Sequence, residues 1–294
     1  MDEKRTVTLE DISVLAVRNL SYSYGKHKVL DKVNLDLGSH TYALLGPNGS
    51  GKTTLIRCLT LIFPEVKDRI SFNGAQLKNE KNYKENLGYL SQNFNLFPEL
   101  TLREALSLLA NYKGIKKSEI ADEVRIAAKQ VNLDDVLDKK LRAFSGGMVR
   151  RAGVAQALLN EPKVLIFDEP TSGLDIEERI RFKSLIAGLT GERTILISTH
   201  IVADVEAVCD QILVMKEGQI LGPFTQEALA DFAENKVYII PERDLDLLQE
   251  PYFMKNKYVH EGVTHYRCLS ATAQNIMASK PQLEDGYLCL LKEI

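Results

Sequence analysis

Apolar and polar positions alternate through Ser13–Gly25 (SVLAVRNLSYSYG) and again through Val29–Gly46 (VLDKVNLDLGSHTYALLG), the period-two pattern of half-buried strands. The spacing then changes. In Lys52–Phe63 (KTTLIRCLTLIF) apolar residues recur at helical intervals, and Pro64, with no amide to donate, ends the run. Further strands are predicted at 69–74 (RISFNG) and 87–92 (LGYLSQ). From Thr101 to about Gln130 the pattern is helical, opened by Thr101 with Glu104 three positions on, a pair that can satisfy orphan amides at a helix start.

From Gly146 the chain reads helix, strand, helix, strand: 146–160, 163–167 (KVLIF), 176–189 and 193–199 (RTILIST). Unbroken apolar runs of this length bury both faces of a strand, and such strands alternating with helices predict a mostly parallel sheet in an α/β fold. A helical segment follows at 224–235. Beyond it the pattern changes to a strand at 237–241, a hairpin at 257–270 turning at Glu261 and Gly262, and a closing helix at 283–293. This predicts a domain over 1–234, with a helical subdomain at about 93–160, and a small module over 235–294.

Composition narrows the class. The 294 residues are 45% hydrophobic and 26% charged with a formal net charge of -3, which gives no bulk basic field for nucleic acid, so no nucleic-acid partner is expected. Cys58, Cys209, Cys268 and Cys289 are scattered without the paired spacing of a zinc site, and are expected to be reduced thiols of a cytosolic protein. The N-terminus is charged from its second residue, and the longest apolar runs fall far short of the about 20 residues that span a bilayer. The chain is expected not to cross a membrane itself.

The candidate chemistry begins at Gly46–Thr53, which matches G-x-x-x-x-G-K-[ST] between a predicted strand and a predicted helix. Glycines let backbone wrap a polyphosphate closely, so that successive amides and the positive end of the helix point at anionic oxygens. Lys52 adds a mobile charge for the outer phosphates, and the Thr53 hydroxyl can ligate Mg2+. A tight turn with a coincidental lysine is the competing reading. The strand 163–167 delivers Asp168 at its carboxyl end, where it can hold Mg2+ through water, and Glu169 stands next in line to polarise an attacking water as general base. Taken alone, that pair could equally be a solvated acidic turn before Pro170.

Between the two elements lies FSGGMVRRAGVAQALLN, residues 144–160, and with it the chain resembles the ATP-binding cassette (ABC) family. The other landmarks of that family stand in order: SYG with Tyr24, Gln92 in YLSQN, the turn Ser172–Asp175 (SGLD), and His200 after TILIST. The resemblance spans Val14 to about Phe232 and implies a P-loop NTPase, ABC-type nucleotide-binding domain. Its expected parts are a mixed sheet, a RecA-like core, an antiparallel β subdomain and a helical subdomain, followed by a small α+β C-terminal domain.

The resemblance also implies roles. Gly46, Pro47, Asn48, Gly49, Ser50, Gly51, Lys52, Thr53 and Thr54 would cradle ATP while Tyr24 stacks on adenine. Thr53, Asp168 and Gln92 would hold Mg2+. Glu169, His200, Lys52 and Gln92 would serve catalysis. Ser145, Gly146 and Gly147 would reach the γ-phosphate held by a second nucleotide-binding subunit, with Asp175 at the seam between the two. That implies a homodimer docked on a separate transmembrane permease, peripheral at the inner face of the cell membrane, with residues 92–113 as the docking surface. Two positions depart from the usual signature, Phe144 for leucine and Met148 for glutamine. SGGMVRR, together with KPQLEDGYLCLLKE at 280–293, resembles the branch serving drug, peptide and ABC-2-type exporters. The expected function is therefore ATP hydrolysis that energises export of a drug, peptide or bacteriocin-like compound. The alternatives are an ATPase of a non-transport machine and a nucleotide-dependent regulatory subunit.

Overall fold

The computed structural model describes residues 14–77, 80–189, 191–272 and 274–294. In chain order the elements are β1 (Leu15–Tyr24), β2 (His27–Leu37), β3 (Thr41–Leu45), α1 (Lys52–Leu59), β4 (Ile70–Phe72), β5 (Ala75–Gln76), α2 (Glu80–Glu85) and β6 (Leu87–Leu90). Then come α3 (Leu102–Tyr112), α4 (Ile120–Gln130), α5 (Gly146–Leu158), β7 (Val164–Asp168), α6 (Ile176–Gly188), β8 (Thr194–Thr199), α7 (Val202–Val208), β9 (Gln211–Lys216) and β10 (Gln219–Phe224). The chain closes with α8 (Gln226–Ala230), β11 (Val237–Pro241), β12 (Phe253–His260), β13 (Val263–Leu269) and α9 (Leu283–Lys292).

Hydrophobic patterning decides which sheet each strand joins. β3, β7 and β8 are buried at every position, and they occupy the middle of a six-stranded sheet ordered β10-β9-β3-β8-β7-β6. Within it β9, β3, β8, β7 and β6 pair in parallel. The alternating strands form a separate antiparallel sheet ordered β2-β1-β4-β5, so the RISFNG segment pairs with β1 rather than with the parallel strands. One apolar core joins the two sheets, with Leu20, Leu30 and Leu37 of the first packed in the same cluster as Leu44, Ile166 and Leu196 of the second and Leu55 and Ile56 of α1.

The parallel register has a direct consequence for chemistry. Leu45 pairs with Thr199, Asp168 with Ser198 and Leu90 with Phe167, so β3, β7, β8 and β6 end level with one another. Gly46, Glu169, His200 and Gln92 therefore leave the sheet along one edge, the carboxyl end where an open α/β sheet gathers its ligands.

The helical stretch predicted over 101–130 is two helices, α3 and α4, separated at Gly114, whose φ of 80 no helix interior allows. Thr101 and Glu104 do form the reciprocal cap: the Thr101 hydroxyl accepts from the Glu104 amide at 3.2 Å, and Glu104 accepts from the Thr101 amide at 2.7 Å. The short α2 and α7 fall outside the sequence prediction, since helices of six and seven residues show too little of a 3.6-residue period to be read.

The chain divides into two compact units, 1–221 and 222–294, earlier than the expected boundary at Asn235. The reason lies in α8. It packs against α9 so closely that a Cβ at Gly286 would stand 1.7 Å from the Leu229 carbonyl oxygen, which puts α8 with the second unit. That unit holds an antiparallel sheet ordered β11-β13-β12, with the β12–β13 turn at Glu261 and Gly262, both at positive φ as a tight hairpin requires. Its buried Asp285, at the third position of α9, accepts from Arg267 of β13 and from Lys255 of β12. No helix among the described residues is long and apolar enough to cross a membrane.

Candidate functional site

The loop between β3 and α1 is shaped by its glycines. Gly49 and Gly51 take φ of 82 and 110, and a Cβ at Gly46 would lie 2.5 Å from the Met215 carbonyl oxygen. α1 opens on Gly51, which has no side chain to cap it, so the first-turn amides of the helix are left for another acceptor. The Ser50 hydroxyl is buried and unbonded. The loop is also tied from outside. Gly218, at the turn between β9 and β10, donates its amide to the Ser50 carbonyl at 3.0 Å, and its own carbonyl accepts from the Asp31 amide at 3.1 Å.

Lys52 is buried, and its ammonium donates to the Gly46 and Pro47 carbonyls at 2.7 and 3.1 Å. Burial pulls this ammonium below its usual range, against the raising influence of Glu169 and Asp168. Its distance to Glu169 Oε1 is 3.6 Å. Glu169 sits just past β7 with φ 47, a left-handed conformation uncommon for a residue with a side chain. Its second oxygen lies 2.8 Å from His200 Nδ1. An ionised carboxylate can only accept, so Nδ1 is the donor in that contact.

Asp168 is also buried. Burial raises its pKa, while hydrogen bonds from the Ser198 and Thr53 hydroxyls act in the opposite direction. Thr53 thus meets Asp168, and with Gln92 it lines the same cavity of about 300 Å³ as Asn48, Gly49, Gly51, Lys52, Thr54 and Glu169. A threonine hydroxyl, an aspartate and a glutamine amide form an all-oxygen donor set of the kind hard divalent cations take. The residues present therefore fit both parts of a magnesium–triphosphate, with oxygen donors for the cation and a lysine and uncapped amides for the phosphates.

The remaining predicted residues lie away from this cavity. Tyr24, 44% exposed, stands edge-on to Tyr22 and Phe63 at ring-centroid distances of 5.3 and 5.9 Å, at the end of β1. Ser145 caps α5, accepting from the Met148 amide at 3.2 Å, and Asp175 caps α6, accepting from the Glu178 amide at 2.8 Å. Gly146 faces open space, whereas a Cβ at Gly147 would collide with the Glu178 carboxylate. None of these five lines the cavity. Val29 does line it, and a lone valine in an alternating strand gives no sequence signal of such a place. Ser198, which bonds the Asp168 carboxylate at 2.6 Å, also escapes sequence reasoning.

A parallel sheet whose first strand feeds a glycine loop, a lysine and a helix start, with an acidic pair on another strand end, defines a P-loop NTPase. Residues 30–172 match the ABC transporter family. Over 208 residues the chain is 34% identical to an uncharacterized ABC transporter ATP-binding protein of Bacillus subtilis, covering 70% of this chain and 69% of that protein. It is 33% identical over 225 residues to Nod factor export ATP-binding protein I of Cupriavidus metallidurans, covering 74% and 73%. The solved structure of cbiO1 from Clostridium perfringens, part of the ABC transporter complex cbiONQ, is similar with a TM-score of 0.64 and 30% identity over 72% of this chain and 88% of that one. The chain belongs to the ABC transporter family: it is an ATP-binding subunit and an ABC transporter ATPase.

Proposed function

We propose that the chain hydrolyses ATP as one of two identical subunits, engages a separate membrane permease at the inner face of the membrane, and drives export. The observation that carries the catalytic part is the Glu169 carboxylate, held between His200 Nδ1 and Lys52 Nζ on the wall of the cavity that Lys52, Thr53 and Gln92 also line. In this reading Glu169 takes the proton of the attacking water, His200 orients that carboxylate, and Lys52 turns from the loop carbonyls to the outer phosphates of ATP. Thr53, Asp168 and Gln92 would hold Mg2+, which when bound neutralises charge on the phosphate oxygens.

The proposed dimer is supported by position. Ser145, Gly146 and Gly147 open a 13-residue helix, α5, yet none of them lines the cavity of its own chain. A helix start with an open glycine amide is an anion site in waiting, and a second copy set head to tail would bring it to the partner's triphosphate. Asp175 at the start of α6 would lie at the seam, and Tyr24 would stack on the adenine.

Export is supported by the likeness to the Nod factor export protein and by the SGGMVRR and LEDGY segments. The cargo proposed is a drug, peptide or bacteriocin-like compound, selected by the permease. Purification of the full chain from membranes tests the reading: an integral protein that co-purifies and raises ATP turnover supports it. A chain that turns over ATP at an unchanged rate and carries no integral partner refutes it.

A further inference from the structure

Ser198 lies on β8, the strand with parallel partners on both sides, opposite Leu44 of β3 and Asp168 of β7. Its side chain is fully buried. The hydroxyl makes two bonds of fixed sense. The Glu169 amide can only donate, so the 2.9 Å contact makes Ser198 Oγ an acceptor there. That leaves its single proton for Asp168 Oδ1 at 2.6 Å. The Ser198 carbonyl takes the same Glu169 amide at 3.2 Å, so this one residue receives the amide through two oxygens.

We infer that Ser198 is the positioning residue of the acidic pair, one hydroxyl fixing both the rotamer of Asp168 and the left-handed backbone of Glu169. The inference rests on the roles given to those two residues above. Holding Oδ1 fixes the rotamer of Asp168, whose ionised form the Thr53 hydroxyl also favours. Anchoring the amide of Glu169 holds its φ of 47, and that turn carries the carboxylate to His200 and Lys52. The strand supplies the rigidity, since its backbone is paired on both sides and cannot drift to follow a displaced carboxylate. Without the hydroxyl, Asp168 would keep its burial but lose a donor, and the Glu169 amide would retain only the longer bond to the Ser198 carbonyl.

Ser198→Ala removes the hydroxyl alone, and Ser198→Thr restores it on a residue suited to strands. With the full chain, the measurements are ATP affinity without Mg2+, the gain in affinity when Mg2+ is added, and kcat. Outer-shell partners of a metal ligand typically matter by about 10- to 100-fold in metal affinity or activity. Ser198→Ala is therefore expected to bind Mg2+-free ATP as wild type does, to lose about tenfold of the gain from Mg2+, and to fall about 10- to 100-fold in kcat. Ser198→Thr should recover most of both. The inference is overturned if Ser198→Ala keeps kcat and the Mg2+ gain within twofold of wild type. It is also overturned if Mg2+-free affinity falls as far as kcat, since the change would then be general damage. Glu169→Gln run in parallel separates the two readings. Brisk turnover by Glu169→Gln removes the base assignment, whereas wild-type behaviour of Ser198→Ala beside a stalled Glu169→Gln removes the Ser198 assignment alone.

Discussion

Each unit of the chain buries a carboxylate among cations, and the two clusters are built to opposite ends. In the second unit Asp285 spends its oxygens fully: Arg267 meets it through two nitrogens, Lys255 donates at 2.8 Å, and the Gln282 amide at 2.7 Å. Burial alone would raise this carboxyl, but the bonds from Arg267, Lys255 and the amide outweigh it and hold the group below its ordinary range. In the first unit Lys52 is satisfied by loop carbonyls and stands 3.6 Å from Glu169, the Ser50 hydroxyl is unbonded, and Glu169 is held in an uncommon backbone conformation. A saturated cluster fixes a fold, because removing its carboxylate leaves the buried Arg267 without a countercharge. An unsaturated one keeps bonding capacity for a substrate that arrives later.

The sharpest way to break this contrast is at Glu169. Glu169→Gln keeps shape and removes the proposed base, so kcat should fall about 100- to 10,000-fold while ATP still binds and closed dimers accumulate. Steady-state turnover and size-exclusion chromatography with ATP read both effects, and turnover near wild type would put the base elsewhere. In the other cluster the loss should appear as stability. Asp285→Asn leaves the buried Arg267 facing a neutral amide, while Lys255 keeps Glu284 at 2.7 Å, at a cost of about 3 to 5 kcal/mol to the second unit. Hydrogen exchange in β13 and α9 would report it, and unchanged protection would mean that the network is idle.

That cluster also has a pH signature. A carboxyl whose pKa is depressed in the folded state stabilises above its unfolded value, near 3.8, and the contribution is lost as pH falls through the lower folded value. Acid denaturation of the wild type should therefore show a fall in stability below about pH 4 that Asp285→Asn lacks. A smaller effect is expected from Lys52→Ala. Charge-assisted bonds are worth about 1.5 to 3 kcal/mol, so ATP affinity should drop about 10- to 150-fold by equilibrium titration, with the fold intact. Smallest is Tyr24→Ala, about 1 kcal/mol or some fivefold in ATP affinity if the ring stacks on adenine, with affinity for inorganic triphosphate unchanged.

What the sequence made legible was whatever chemistry is local in the chain. Gly46 to Thr53 can be read because loop, lysine and helix start are consecutive, and the Thr101–Glu104 cap because its partners are three positions apart. The strand runs at 163–167 and 193–199 declare double burial by composition, which is why the parallel sheet was foreseen. Ser198 was not, since a serine near a strand end is ordinary and its partner Asp168 is brought beside it only by the β7–β8 register. The left-handed backbone of Glu169 leaves no trace in residue type. The helix at 226–230 was visible as a helix, but its allegiance depends on the contact between Leu229 and Gly286, far apart in sequence.

The turn at Gly218 reaches back to Ser50, and a Cβ there would stand 2.2 Å from the Val29 carbonyl oxygen. During synthesis the ribosome therefore delivers the glycine loop early but its anchor late, after the chain has been threaded through β7, β8 and β9. A nascent polypeptide therefore lacks this outside tie on the loop until almost the whole first unit has emerged.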